Sequence, residues 1–264
     1  MTTIPASNLL GFRNGPMSVH TSRTMMLHEL KLLLERVAAD SPASGYAGAI
    51  VEENVLGKPT RSTRQRTARR LQELYALDPR CTLFRLLRYF WSSGNGSQPM
   101  LAFLTACARD PLLRKSTPFV LATPIGQIVP PGDIVTCLNE QYPLRFRPTT
   151  LLSTAQNLAS SWAQAGYLQG KQQKRRSRPS VTPVVTAFAL VLGYLCGLRG
   201  SLLLDSLWTK ALDCSTAELT ALVEEASRQG WVRYKATGAV VDISFPGLLT
   251  SAEEQAAYEQ DRPA

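Results

Sequence analysis

Apolar residues recur three and four positions apart along almost the whole chain, and the pattern changes to period two only after Gly230. Spacing of the first kind gives each helix one stripe to bury, whereas period two belongs to half-buried strands. The expected fold is therefore mainly α, built of helix-turn-helix and winged-helix modules and closed by a C-terminal β-hairpin wing. Met26, Leu27, Leu30, Leu33, Leu34 and Val37 mark a first helix over 25–39, which Asp40-Ser41-Pro42 ends. A second runs over about 44–55. After the turn Gly57-Lys58-Pro59, Thr60 is the expected N-cap of a third helix reaching about Leu77, where Asp78-Pro79 stops it. Three helices with a tight turn before the last is the helix-turn-helix order.

The middle of the chain is read as helical too. Leu83, Leu86, Leu87, Phe90 and Trp91 form one stripe, and further helices are expected over 100–108, 110–115 and 133–141, with extended chain over 119–129. A long helix over 148–165 should end at Gly166 as its C-cap. The stretch 170–180 reads as a hairpin or a disordered loop. Helices over 183–198, 202–212 and 216–229 follow, the last opened by a Ser215/Glu218 capping box. Strands over 231–234 and 240–245, joined by a turn at Ala236-Thr237-Gly238, complete a helix-helix-helix-hairpin order. The expected organisation is a flexible arm over 1–24, an N-terminal helical domain over 25–145, a winged-helix-like domain over 146–249 and a tail over 250–264.

Charge points to the class of partner. Lysine and arginine number 29 against 20 acidic residues, a net charge of +9, and such an excess favours a polyanion or an anionic membrane surface. Its densest part is Lys58-Pro59-Thr60-Arg61-Ser62-Thr63-Arg64-Gln65-Arg66-Thr67-Ala68-Arg69-Arg70, with six cations and no acid. On a helix, Thr67, Ala68, Leu71, Leu74 and Tyr75 fall on one side. Arg66, Arg69 and Arg70 fall on the other, with Ser62 and Gln65 among them. Guanidinium, amide and hydroxyl groups suit phosphate oxygens and major-groove base edges, and Lys58 and Arg61 stand where the helix N-terminus already attracts anions. A solvated basic face is the bland reading; the missing acids favour binding, because solvated helices usually mix both signs. A second cluster, Lys171, Lys174, Arg175, Arg176 and Arg178, could follow a phosphate backbone or enter a minor groove. Alternatively it is a linker or a membrane-proximal basic patch. Arg228, Arg233 and Lys235 on the wing fit DNA and protein partners equally.

Catalytic and metal chemistry find little support. His20 falls in the expected flexible arm and His28 on a helix surface. Glu52-Glu53 and Glu224-Glu225 are adjacent pairs that diverge on a helix. Gly11 to Gly15 lacks the Gly-Lys-Ser/Thr of a phosphate loop. Trp162, Trp208, Phe188 and Tyr194 sit at helical core positions. The cysteines Cys81, Cys107, Cys137, Cys196 and Cys214 have no metal-ligand spacing and suggest reduced thiols in a cytoplasmic protein. No cofactor and no small-molecule substrate is expected. Val181 to Leu198 carries no charge; it reads as a buried core helix starting at Pro183, with an inner-membrane anchor as the alternative.

The run Glu53-Asn54-Val55-Leu56-Gly57-Lys58-Pro59-Thr60-Arg61-Ser62-Thr63-Arg64 resembles the BrxA family of BREX phage-defence systems, which shows a similar E-N-L-L-x-K-x-T-x-S-T turn before a basic helix. The resemblance is local and touches Asn54, Lys58, Thr60, Arg61, Ser62, Thr63 and Arg64. It implies a small all-α, helix-turn-helix protein that binds DNA beside a methyltransferase and other defence proteins, and it carries over no catalytic residue. The competing expectation is a winged-helix scaffold that holds a partner protein.

Overall fold

A computed structural model describes residues 9–93, 96–238 and 240–259. These form twelve α-helices and two small antiparallel hairpins. The first module comprises α1 (Leu27–Arg36), α2 (Ala43–Val51) and α3 (Arg61–Tyr75). Leu30, Leu33, Ile50, Leu71 and Leu74, all fully buried, form the apolar seam of these three helices.

Next come α4 (Thr82–Ser93), α5 (Gln98–Arg109) and α6 (Pro111–Ala122), then α7 (Pro131–Gln141) and α8 (Pro148–Ala165). Helix α5 is buried on every side from Met100 to Ala108 and forms the axis of the molecule. Extended chain was expected over 119–129, but α6 continues to Ala122 with Pro118 inside it. The Asp110 carboxylate caps its start by accepting from the N–H groups of Leu112 and Leu113. Burial of Val120, 1% exposed, favours carrying the helix past a proline that removes one hydrogen bond.

Strands β1 (Leu168–Gln169) and β2 (Arg175–Arg176) form a hairpin, and residues 126–129 lie along its other edge through hydrogen bonds such as Val129 N–H to the Lys174 carbonyl. The stretch expected as a hairpin or a disordered loop is thus an ordered ribbon. Helix α9 (Pro183–Leu195) follows, too short to cross a membrane, and among the described residues no helix is long and apolar enough to do so. It is buried from Val184 to Gly193, as a core helix should be. The helix expected over 202–212 is instead a 3-10 turn (Gly200–Leu203) and a short α10 (Leu207–Lys210), with Ser206 capping the latter. Helix α11 (Thr216–Arg228) opens with the Ser215/Glu218 capping box. Strands β3 (Arg233–Thr237) and β4 (Val240–Ser244) pair with Thr237 opposite Val240, so Ala236 and Thr237 are strand, not turn. Helix α12 (Ser251–Glu259) ends the described chain.

Two expected boundaries are not breaks in packing. One apolar cluster runs from Leu10 through α5, α8 and α9 to Ala257, across the division expected at 145/146. Residues 1–8 of the expected flexible arm lie outside the described residues. The remainder, 9–24, is docked: Leu10 is fully buried, Phe12 and Val19 nearly so, and the Leu9 and Leu10 carbonyls accept from the N–H groups of Thr82 and Leu83.

Candidate nucleic-acid interface

The turn before α3 is built from residues suited to it. Asn54 takes a left-handed conformation (φ 53°), which asparagine tolerates better than most residues, and Gly57 takes another (φ 62°). The Asn54 side-chain oxygen accepts from the Lys58 N–H at 2.8 Å, and Leu56 plugs the core at 7% exposure. Thr60 caps the helix by accepting from the Thr63 N–H at 3.1 Å. At the far end, Arg109 and Arg13 donate to the Glu73 carbonyl at 3.0 and 3.3 Å, placing cations at the negative end of the helix dipole.

Thr67, Leu71, Leu74 and Tyr75 face inward, and Ser62, Gln65, Arg66 and Arg69 form an exposed row. Their spacing of three, one and three keeps them on one side of the helix. Arg61 is exposed at its N-terminus; Lys58, Arg64 and Arg70 are half-buried along the edges. The run over 58–70 has no acid of its own, but acids stand beside it: Glu29 and Glu52 are brought by α1 and the end of α2, and Glu73 sits on the next turn of α3 itself. Lys58 pairs with Glu29 at 2.9 Å, Arg61 with Glu52 at 2.7 Å, and Arg69 and Arg70 both reach Glu73, at 3.1 and 2.7 Å. Burial alone would raise the Glu73 carboxyl; the hydrogen bonds from Arg70 and Arg69 outweigh it and hold the group below its ordinary value. Among the described residues, Arg64 and Arg66 have no acidic partner, and Arg64 Nε is buried without a hydrogen bond. Exposed ion pairs contribute only about 0–1 kcal/mol, so a phosphate can compete for Arg61 and Arg69.

The second cluster divides. Lys171, Lys174, Arg175 and Arg178 reach solvent, Lys174 only partly, but Arg176 is 2% exposed. Its guanidinium pairs with Asp213 at 2.6 Å, donates to the Val120 carbonyl at 2.8 Å and lies 5.5 Å from the Tyr167 ring. It clamps the ribbon to α6 and is unavailable to DNA, which corrects the expectation for this residue. Arg178 lies 4.0 Å from Glu218 and lines a groove of about 920 Å³ whose charged residues, Arg178, Lys210, Asp205 and Asp213, balance in sign. The two clusters are carried by different elements: α3 packs on α2 and α5, and the ribbon on α8 and residues 126–129.

His20, read as part of a flexible arm, is fully buried. Its Nδ1 lies 2.9 Å from Asp110 Oδ2 and its Nε2 2.9 Å from Ser161 Oγ. The order Ser-His-Asp is that of a hydrolytic triad. Here, however, Ser161 is 0% exposed and its hydroxyl oxygen already accepts the Met25 N–H at 2.8 Å. Burial would raise the Asp110 carboxyl, but the charge of His20, hydrogen bonds from His20 and Ser18 and the Leu113 N–H hold it at about 2. The three side chains fasten residues 18–25 to the α5–α6 junction and α8. A buried histidine in a polar N-terminal segment has no periodic signature, so its role was not legible in sequence.

No family model matches the chain, and no curated protein does either.

Proposed function

We propose that the protein binds double-stranded DNA through α3, acting as a non-enzymatic accessory of a BREX-type phage-defence system. The observation that carries the reading is the exposed row Ser62, Gln65, Arg66 and Arg69 on a helix whose opposite face is locked into the core. In a helix-turn-helix, such a row enters the major groove, with arginines and amides reaching base edges and phosphates. Lys58 and Arg61, beside the free N–H groups of the first turn, add phosphate contacts. The defence context rests on the local resemblance alone.

The helix order α9, α10, α11 followed by the β3–β4 hairpin supports a second, winged-helix module. The solvent side of α11 carries Glu218, Glu224 and Glu225 against Arg228, and Arg228 is already paired with Glu225 at 2.5 Å. A carboxylate-rich helix repels a phosphate backbone, so this module suits a protein partner better than a second stretch of DNA.

Binding of purified protein to random-sequence duplex across a salt series tests the DNA reading. If about six phosphates are contacted, log K falls with log salt at a slope of roughly −5. Arg66→Glu with Arg69→Glu, both exposed, is expected to weaken binding at least about 100-fold by reversing two phosphate contacts, with the helical circular dichroism unchanged. A folded double variant with wild-type affinity would remove α3 from the interface.

A further inference from the structure

Beyond α3, the loop over 142–147 between α7 and α8 has an unusual surface. Leu144 is 99% exposed, and its backbone sits at φ 58°, a left-handed conformation that leucine rarely adopts. Cations and rings surround it. The Arg145 guanidinium lies 4.7 Å from the Tyr142 ring and 4.9 Å from the Phe146 ring, and Lys115 Nζ lies 5.0 Å from Tyr142. Arg147 is exposed beside them. Glu140 precedes the loop, and from there to Asp205 the chain has no acidic residue.

The loop is also coupled to α3. Arg145 donates to the Pro16 carbonyl, and Met17, the next residue, lines a small cleft with Arg70 of α3. Residues 16 and 17 thus link the loop to the end of the basic helix.

We infer that the 142–147 loop is a second contact to the same nucleic acid, in which Leu144 enters between base pairs from the minor groove while Lys115 and Arg147 hold the flanking phosphates. This rests on the duplex-binding reading of α3. Apolar wedges in minor-groove contacts part a base step and kink the helix, and they act from a stiff mount within a cationic setting. Arg145 supplies the mount, held between two rings and a carbonyl, and Lys115, Arg145 and Arg147 outnumber Glu140 to supply the charge. A membrane surface is the poorer fit, because Leu144 is the one large apolar side chain that the loop exposes, while Tyr142 and Phe146 remain half-buried against their cations.

The test uses the full chain and a set of duplexes in which a single 2-aminopurine is stepped along the sequence. Unstacking by the wedge is expected to raise 2-aminopurine emission several-fold at saturation. Leu144→Ser, at a position with nothing to unfold, should keep the dissociation constant within about threefold yet return emission to that of free duplex. Arg147→Glu should weaken binding and reduce the magnitude of the salt slope by about 1. Saturable duplex binding with no emission change, or an emission change that survives Leu144→Ser, overturns the wedge and leaves the α3 reading intact. Absence of duplex binding by the wild type overturns both. Leu144-dependent sedimentation with phosphatidylserine–phosphatidylcholine vesicles, with silent 2-aminopurine, overturns the wedge in favour of a lipid surface.

Discussion

Asp110 accepts from the Ser18 hydroxyl at 2.8 Å, from the Val19 N–H at 2.8 Å and from the first turn of α6, and it faces His20 at 2.9 Å. A carboxylate so surrounded stabilises the fold only while ionised. Its pKa is about 2 in the folded chain against an ordinary 3.8, a difference of about 2 kcal/mol. Because the folded value is depressed, this stability is fully present above the ordinary value and is lost as pH falls towards 2. Urea titrations from about pH 5 to 2 should therefore show the wild type losing about 2 kcal/mol more than Asp110→Asn, which has no carboxyl to protonate. Equal pH dependence of the two proteins would assign the acid sensitivity elsewhere. Arg176 makes the complementary point: its sequence neighbours are all polar or basic, and partners far along the chain, Asp213 and the Val120 carbonyl, explain why it turns inward.

At the scale of elements, local signals specify structure where the determinant lies within one turn of chain. Thr60 caps α3, Gly166 ends α8 in a left-handed conformation, and Ser215 with Glu218 forms a capping box, all expected from residue type and spacing. Thr60 is exposed and its hydroxyl serves the N-terminus of α3, so Thr60→Ala should cost about 1 kcal/mol in thermal or urea unfolding. It should also weaken DNA binding modestly by fraying the turn that presents Arg61 and Ser62. A stability change near zero would mean that the turn at Asn54 and Gly57 holds the helix unaided. The elements that depart from their local pattern share a different cause. Pro118 and the β-branched residues after it suggested extended chain, yet packing of Val120 carried α6 four residues further. The reverse happened over 202–212, where a helical pattern is broken into the end of a 3-10 turn and a short α10 around the buried Ser206 cap.

For the whole molecule, the continuous core has a thermodynamic consequence. Helices α4, α5, α8 and α9 are packed on one another, and the docked segment over 9–24 touches both halves of the chain. Calorimetric unfolding should give one cooperative transition, with the calorimetric enthalpy close to the van't Hoff value. Two resolved transitions would restore independent units on either side of residue 145. The same continuity bears on the interface, since the basic helix and the Leu144 loop are joined through residues 13–17 and not through a linker.

From its sequence alone the protein was determined to be mainly helical, with a terminal hairpin, an acid-free basic run opening a helix after a tight turn and an uncharged apolar helix expected over 183–198. Helical period, caps and turn residues act over a few positions, and nothing distant is needed to read them. Only the tertiary structure decided that residues 9–24 dock through Leu10, Phe12, Val19 and His20, that Arg176 is a clamp, and that Glu29 and Glu52 stand beside Lys58 and Arg61. The same holds for the hydrogen bond from Arg145 to the Pro16 carbonyl, which ties the Leu144 loop to the segment beside α3. Each of these depends on which segments pack together, and a charge or an apolar side chain acquires its environment only when the chain has closed around it.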